Sequence, residues 1–246
     1  MTPLRYLDAV RSVLDRLEHT QLPAIDRAAD LVVHALTHGG AVFCAAIGHG
    51  NEHDFLNRAG GLAAVQAFAC NFSTTDSVAE CLRDRPRAAP LDRDLESVRL
   101  AVKAGNLRTG DVMVVGSVSG RNRYPVELAL ACRALGVKVV GLTSLAYTAR
   151  VQSIHPSGKK LCDVADVVID NGAPYGDAAV DIPGFDLKLL PVSGVAMTVI
   201  GWMLWGRVME KMAADGNPPT VFKSVNCKGG PEHYERSRAE YNRRGY

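Results

Sequence analysis

No pair of cysteines in the 246-residue sequence is spaced as CxxC; Cys44, Cys70, Cys81, Cys132, Cys162 and Cys227 are scattered. Several sit inside apolar runs, where cysteine behaves as a small hydrophobe, so the sequence predicts reduced thiols in an intracellular, cytoplasmic protein. A dominant charge is lacking as well. The formal net charge of +2 creates no large field for a polyanion, and neither nucleic acid nor an anionic membrane is expected as a partner. Long apolar runs are also missing. Met1 to Asp8 carry early charges and no apolar core of a signal peptide. Val192 to Val208 is nearly uncharged, but Gly194, Gly201, Gly206 and Arg207 interrupt it, and it falls short of the roughly 20 residues a spanning helix needs. It reads as a buried or subunit-interface helix. No internal repeat or low-complexity segment is present.

What the sequence does have is a central stretch, Asp111-Val-Met-Val-Val-Gly-Ser-Val-Ser-Gly-Arg-Asn122, followed by Arg123-Tyr-Pro-Val-Glu127. An apolar β-branched run that breaks into Gly and Ser and then becomes helical reads as a buried strand, a tight loop and a crossover helix. That is an anion site in outline. Ser117, Ser119 and Asn122 bring side-chain donors to the end of the strand, and the free N–H groups of the following helix face the same spot. Gly136 to Ser144 repeats the design, a Val-rich strand ending in Thr143 and Ser144. Two neighbouring strand ends would converge on one ligand.

Around this centre the spacing predicts two amphipathic helices over residues 1–39, stopped by His38-Gly39-Gly40, and a first strand over Ala41–Ile47. A helix is expected to start at Asp54–Arg58, another to run from Asp92 to Ala104, and a strand from Asp166 to Asn171. Asn71–Pro90 reads as loop with short helical pieces, Leu145–Lys160 and Ala173–Phe185 as loop, Leu187–Pro191 as a short strand, Ser193–Met212 as the apolar helix, and the charged C-terminus as a last helix. Strands alternating with helices predict a doubly wound, mostly parallel α/β sheet with helices on both faces. Its ligand site lies outside the carboxyl ends of the strands. The expected organisation is a helical hairpin over 1–39 packed on one domain over 40–246.

Gly48-His-Gly-Asn-Glu-His53, after the first strand, admits three readings. As a dinucleotide fingerprint it fails, because His53 stands where the third glycine should. As a zinc site, His49-x-x-Glu52-His53 needs a continuous helix to put both imidazoles on one face, and a loop with Gly50 does not supply one. No metal and no cofactor are expected. The reading kept is a loop that delivers His49, Asn51, Glu52 and His53 to a polar ligand beside the anion site. His34 and His38 lie at a helix end, where histidine complements the dipole.

Several of these segments together resemble the SIS (sugar isomerase) domain family of phosphosugar-binding proteins, most specifically its stand-alone bacterial members. They are Arg58-Ala-Gly-Gly-Leu62, Ser119-Gly-Arg-Asn122 with Pro125-Val-Glu127, Leu142-Thr-Ser-Leu145, His155-Pro-Ser-Gly-Lys159, Asp163-x-Ala-Asp-x-Val-Ile-Asp-Asn171, and Pro219-x-Val-Phe222 with Asn226 and Gly229-Gly230. The resemblance implies a flavodoxin-like three-layer sandwich. It also implies that Ser117, Ser119, Gly120, Asn122, Thr143 and Ser144 hold a sugar phosphate. One departure is plain, since Gly50 stands where the subgroup's first loop carries a serine and the loop is shorter. The resemblance further implies an isomerase or lyase acting on a hexose or amino-sugar 6-phosphate, or else a non-catalytic sensor of such a ligand, in a homodimer. Isomerisation and water elimination both begin with loss of the C2 proton, which needs a carboxylate or imidazole base. Glu127, His49, Glu52 and His53 are the candidates. Glu127 is favoured for its place in the first turn beyond the phosphate loop.

Overall fold

The computed structural model describes residues 1–49, 52–86 and 92–246. Two helices open the chain, α1 (Thr2–Thr20) and α2 (Leu22–Thr37), and they turn on Gln21. Pro3 and Pro23 stand in the first turns, where a missing N–H costs nothing. Thr2 is the first helical residue, and Met1 precedes it without a side-chain capping bond. After the stop at His38 the chain enters β1 (Val42–Ala45). The helix expected from Asp54 is instead a single 3-10 turn, Glu52–Asp54, because Gly60 and Gly61 follow too soon for a longer helix to propagate.

β2 (Val65–Phe68) then leads to α3 (Arg93–Ala104), whose first turn is capped by the Asp92 carboxylate accepting from the Leu95 N–H. β3 (Val112–Gly116), α4 (Arg123–Ala134) and β4 (Lys138–Thr143) follow. The stretch expected as loop after Ser144 holds a one-turn helix, α5 (Leu145–Thr148), and a second, α6 (Leu161–Val164), comes just before β5 (Val167–Asp170). The next expected loop contains β6 (Ala178–Val180), which pairs antiparallel with β7 (Leu189–Pro191). The long helix α7 (Ser193–Ala214) and the charged helix α8 (Gly230–Arg244) close the chain.

The five main strands form one parallel sheet in the order β2-β1-β3-β4-β5. Alternation along each strand divides the core in two, as the period of two demands. Val112, Val114, Val140 and Leu142 face α1, α2 and α7, while Met113, Val115 and Val139 face α3, α4 and α6. Each such side chain, fully buried, contributes roughly 1.5–3 kcal/mol. The result is three layers, with the N-terminal helices against α7 on one side.

α7 buries Ala196, Met197, Ile200, Leu204, Trp205 and Val208. Gly201 is needed there because a Cβ would fall 2.1 Å from the Phe55 ring. Among the described residues no helix is long and apolar enough to cross a membrane.

Candidate functional site

The connection from β1 runs to β2 on one side of the sheet, and the chain then crosses to β3 on the other. The carboxyl ends of β1 and β3 therefore flank the switch point where doubly wound sheets bind ligands. The two end loops lie in contact. The His49 N–H donates to the Gly116 carbonyl at 2.9 Å. Gly48 has φ +99°, and a Cβ on it would stand 2.4 Å from the Gly116 oxygen. Only glycine lets the backbones approach so closely.

His49 also meets the start of α7. Its Nε2 is 3.4 Å from Ser193 Oγ, and that hydroxyl donates to Asp177 Oδ2 at 2.6 Å. Asp177 Oδ1 accepts from the Ser193 and Val192 N–H groups at 2.9 and 3.2 Å. The carboxylate thus caps a 22-residue helix whose positive end points at the imidazole. Asp177 holds φ +65°, a region sparsely used by residues with a side chain. Neither Asp177 nor Ser193 was singled out by sequence reasoning. The available signal was an acid following β5 and a serine opening a helix, but the β6–β7 hairpin separates them.

Among the phosphate-loop residues, Ser117, Ser119, Gly120 and Asn122 lie between β3 and α4 as expected. Asn122 is exposed at the N-cap of α4 without a side-chain capping bond. Among the described residues, the backbone N–H groups of Val118, Ser119, Arg121 and Asn122 donate to no other backbone group, and no protein acceptor takes the hydroxyl hydrogens of Ser117 or Ser119. This leaves a cluster of donors at a helix N-terminus, the arrangement anions favour. Arg121, within the same loop, has a buried Nε with no protein partner, and it too was passed over in the sequence.

Thr143 and Ser144 are fully buried and braced from beneath. Thr143 Oγ1 donates to the Val118 carbonyl at 3.2 Å, and Thr148 Oγ1 lies at the same distance. Ser144 Oγ donates to the Ala173 carbonyl at 2.6 Å and accepts from the Tyr147 N–H at 3.0 Å, capping α5. Its hydroxyl is committed to holding the loops together.

The four acid–base candidates are not all in one place. Glu52 is buried, with His53 Nε2 3.2 Å from Oε1, and His53 itself projects into solvent. Gly50 and Asn51 lie outside the described residues. The 3-10 turn at Glu52–Asp54 does not set His49 and His53 on one helical face, as the zinc pattern requires. Among the described residues no group of three His, Cys, Asp or Glu side chains could hold a metal ion.

Glu127, expected in the first turn of the helix, is instead buried just beyond it in α4. Arg99 Nε donates to its Oε1 at 2.5 Å, and His155 Nε2 lies 2.7 Å from Oε2. Because the Ser157 N–H donates to His155 Nδ1 at 3.1 Å, that nitrogen is the acceptor and Nε2–H is the donor to Glu127. The Glu127 charge in turn holds the Arg99 guanidinium above its ordinary value, first through the hydrogen bond and then through coulombic attraction.

Comparisons with known proteins agree with this architecture. The SIS domain family matches residues 5–144. A UPF0309 protein of Caldanaerobacter subterraneus subsp. tengcongensis is 35% identical over 97% of each chain. Another, from Listeria innocua, is 33% identical over 97% of this chain and 95% of its own. In structure, the fold resembles a phosphoheptose isomerase from Francisella tularensis with a TM-score of 0.51 at 16% identity, covering 85% of this chain and 98% of that one.

Proposed function

The chain belongs to the SIS domain family, and on that premise we propose that it binds a hexose or amino-sugar 6-phosphate at the β1–β3 switch point and removes the C2 proton of the open-chain sugar. The observation that carries the reading is the junction of His49 with the phosphate loop and the capped start of α7. In this proposal Ser117, Ser119, Gly120 and Asn122, with Arg121, receive the phosphate. Thr143 and Ser144 hold the loop that does so. A phosphate there would gain charge-assisted bonds from backbone, hydroxyl and guanidinium donors at once.

The base in this reading is His49, with Glu52 and His53 kept as further acid–base candidates. The imidazole takes the C2 proton, and the electron pair left behind forms an enediolate whose oxygen is stabilised by nearby donors. Returning the proton to C1, while the C2 hydroxyl proton passes to the C1 oxygen, completes isomerisation. Expelling hydroxide from C3 with a proton completes dehydration. Glu127 takes second place, since Arg99 and His155 already occupy its oxygens. That same commitment favours the alternative, a sensor that holds the sugar phosphate without acting on it.

The half-exposed side of α7, with Val195, Trp202 and Met203, is proposed to face a second copy in a homodimer. The six free thiols are in keeping with a reducing cytoplasm. The test is incubation with hexose and amino-sugar 6-phosphates in D₂O, read by NMR. Deuterium entering C2 supports the enzyme. Binding without exchange over hours replaces it with the sensor.

A further inference from the structure

A groove of about 640 Å³ opens between α3 and α4, a volume within the range of small-molecule sites. Leu95 and Val102 of α3 and Leu130, Ala131 and Leu135 of α4 form its apolar walls. Glu127, His155 and Ser157 stand at one end, with Arg99 and Lys103. The charges there cancel, since Glu127 and Glu96 stand against Arg99 and Lys103. The groove therefore suits an uncharged, largely apolar molecule.

At that end three side chains are in line. Ser157 is exposed, and its Oγ lies 2.7 Å from His155 Nδ1. The Lys159 N–H donates to the same oxygen at 3.3 Å, and Nδ1 is already the acceptor of the Ser157 N–H, so the hydroxyl hydrogen goes to the imidazole. On the far side of the ring, Nε2–H donates to Glu127 Oε2 at 2.7 Å, and Arg99 fixes that carboxylate through Oε1. His155 and Glu127 are both buried. The imidazole is thus held in one tautomer, its lone pair toward a solvent-facing hydroxyl and a carboxylate behind it. A serine is activated as a nucleophile by this arrangement, which is recognised by geometry and not by chain position. The C2 chemistry proposed above gives His155 and Ser157 no part.

We propose that Ser157 is the nucleophile of a second activity, the hydrolysis of uncharged carboxylic esters whose acyl chain lies along α4. Ser157 Oγ bonds to the acyl carbon while its proton passes to His155 Nδ1, and Glu127 stabilises the imidazolium so formed. Lys103, exposed at the same end, supplies the positive charge for the carbonyl oxygen. When the bond to the alcohol oxygen breaks, the alcohol leaves with the proton from Nδ1. Water then adds to the acyl carbon and gives a proton to His155. Ser157 takes that proton back as the carboxylic acid departs.

A fluorophosphonate, which couples covalently to activated serines, tests this on the full chain together with 4-nitrophenyl hexanoate. Mass spectrometry of the digested protein should find the phosphonate on Ser157. Ser157→Ala should lose the label and at least about 10²-fold in ester hydrolysis, the lower end for a missing acid–base or nucleophilic partner, with its thermal midpoint unchanged. Ala131→Phe, which fills the groove, should raise KM for the ester by about tenfold through lost apolar burial. Glu127→Gln, acting through His155, should move the acid limb of the pH–rate profile to lower pH, because the imidazole loses the charge that favours its protonated form. An unlabelled Ser157 in the wild type would overturn the proposal whatever the variants do. So would hydrolysis that persists in Ser157→Ala, which would assign it to background attack by other surface groups.

Discussion

His49 and Ser193 are 144 residues apart in the sequence, and their side chains stand 3.4 Å apart at the carboxyl edge of the sheet. The contact depends on Asp177, which binds the Ser193 hydroxyl and two N–H groups at the start of α7. Asp177→Ala should therefore act on two levels. Loss of the cap costs about 1 kcal/mol, or roughly 2–4 °C in the thermal midpoint for a chain of this size. Loss of the Ser193 anchor should lower turnover with little change in sugar-phosphate affinity. A variant with full turnover would remove Asp177 and Ser193 from the site.

The phosphate loop makes a separate prediction. Ser117→Ala combined with Ser119→Ala should weaken sugar-phosphate binding by roughly 1–3 kcal/mol, the range for hydrogen bonds to a charged group. The unphosphorylated sugar should bind the variant and the wild type alike. Calorimetry with both ligands checks this, and equal losses for the two would dismiss the phosphate assignment.

How far these groups could be seen in the sequence depended on how local their signals are. β1, β3, β4 and β5 are short apolar runs bounded by Gly or polar residues, and such runs carry their own signature when both faces are buried. β2 carries none, because Val65-Gln-Ala-Phe68 is a four-residue edge strand with a polar residue inside it. The Ser-rich loops were legible for the same reason as the strands they follow. Ser144 was legible as a hydroxyl at a strand end, but its bond to Ala173 belongs to the tertiary structure. The same holds for Glu127. Its helix position is plain in the sequence, whereas Arg99 and His155 reach it from 28 residues away on either side. Asp177 needed the β6–β7 hairpin to be recognised before its capping of α7 had any meaning.

The cysteines test the core directly. Burial, with a smaller contribution from the Glu52 charge, holds the Cys44 thiol far above its ordinary value, and burial pushes Cys132 up to about 12. Thiolate is the reactive form, so both should resist an aromatic disulfide reagent in the native protein. Cys81 and Cys227 are exposed and should react first. Cys70, exposed as well but raised by partial burial, should follow more slowly. Peptide mapping after timed labelling gives the order, and early modification of Cys44 or Cys132 would contradict the packing of β1 or α4.

The last prediction separates the two candidate bases. His49→Asn keeps a polar side chain of similar reach but removes the proton acceptor. If His49 is the base, C2 exchange in D₂O should fall by roughly 10²–10⁴, the usual worth of general acid–base catalysis, while affinity for the sugar phosphate holds within a few-fold. Glu127→Gln should behave differently. It breaks a buried charged contact with His155 and Arg99, which costs roughly 1–3 kcal/mol; exchange should stay within about tenfold, well short of the loss from removing a base. The pair of measurements matters because either variant alone could lose activity by misfolding. A Glu127→Gln protein with an unchanged thermal midpoint and a 10²-fold or greater loss of exchange, the size expected of a missing base, would return the role to Glu127. It would also require Arg99 or His155 to release the carboxylate when the sugar binds.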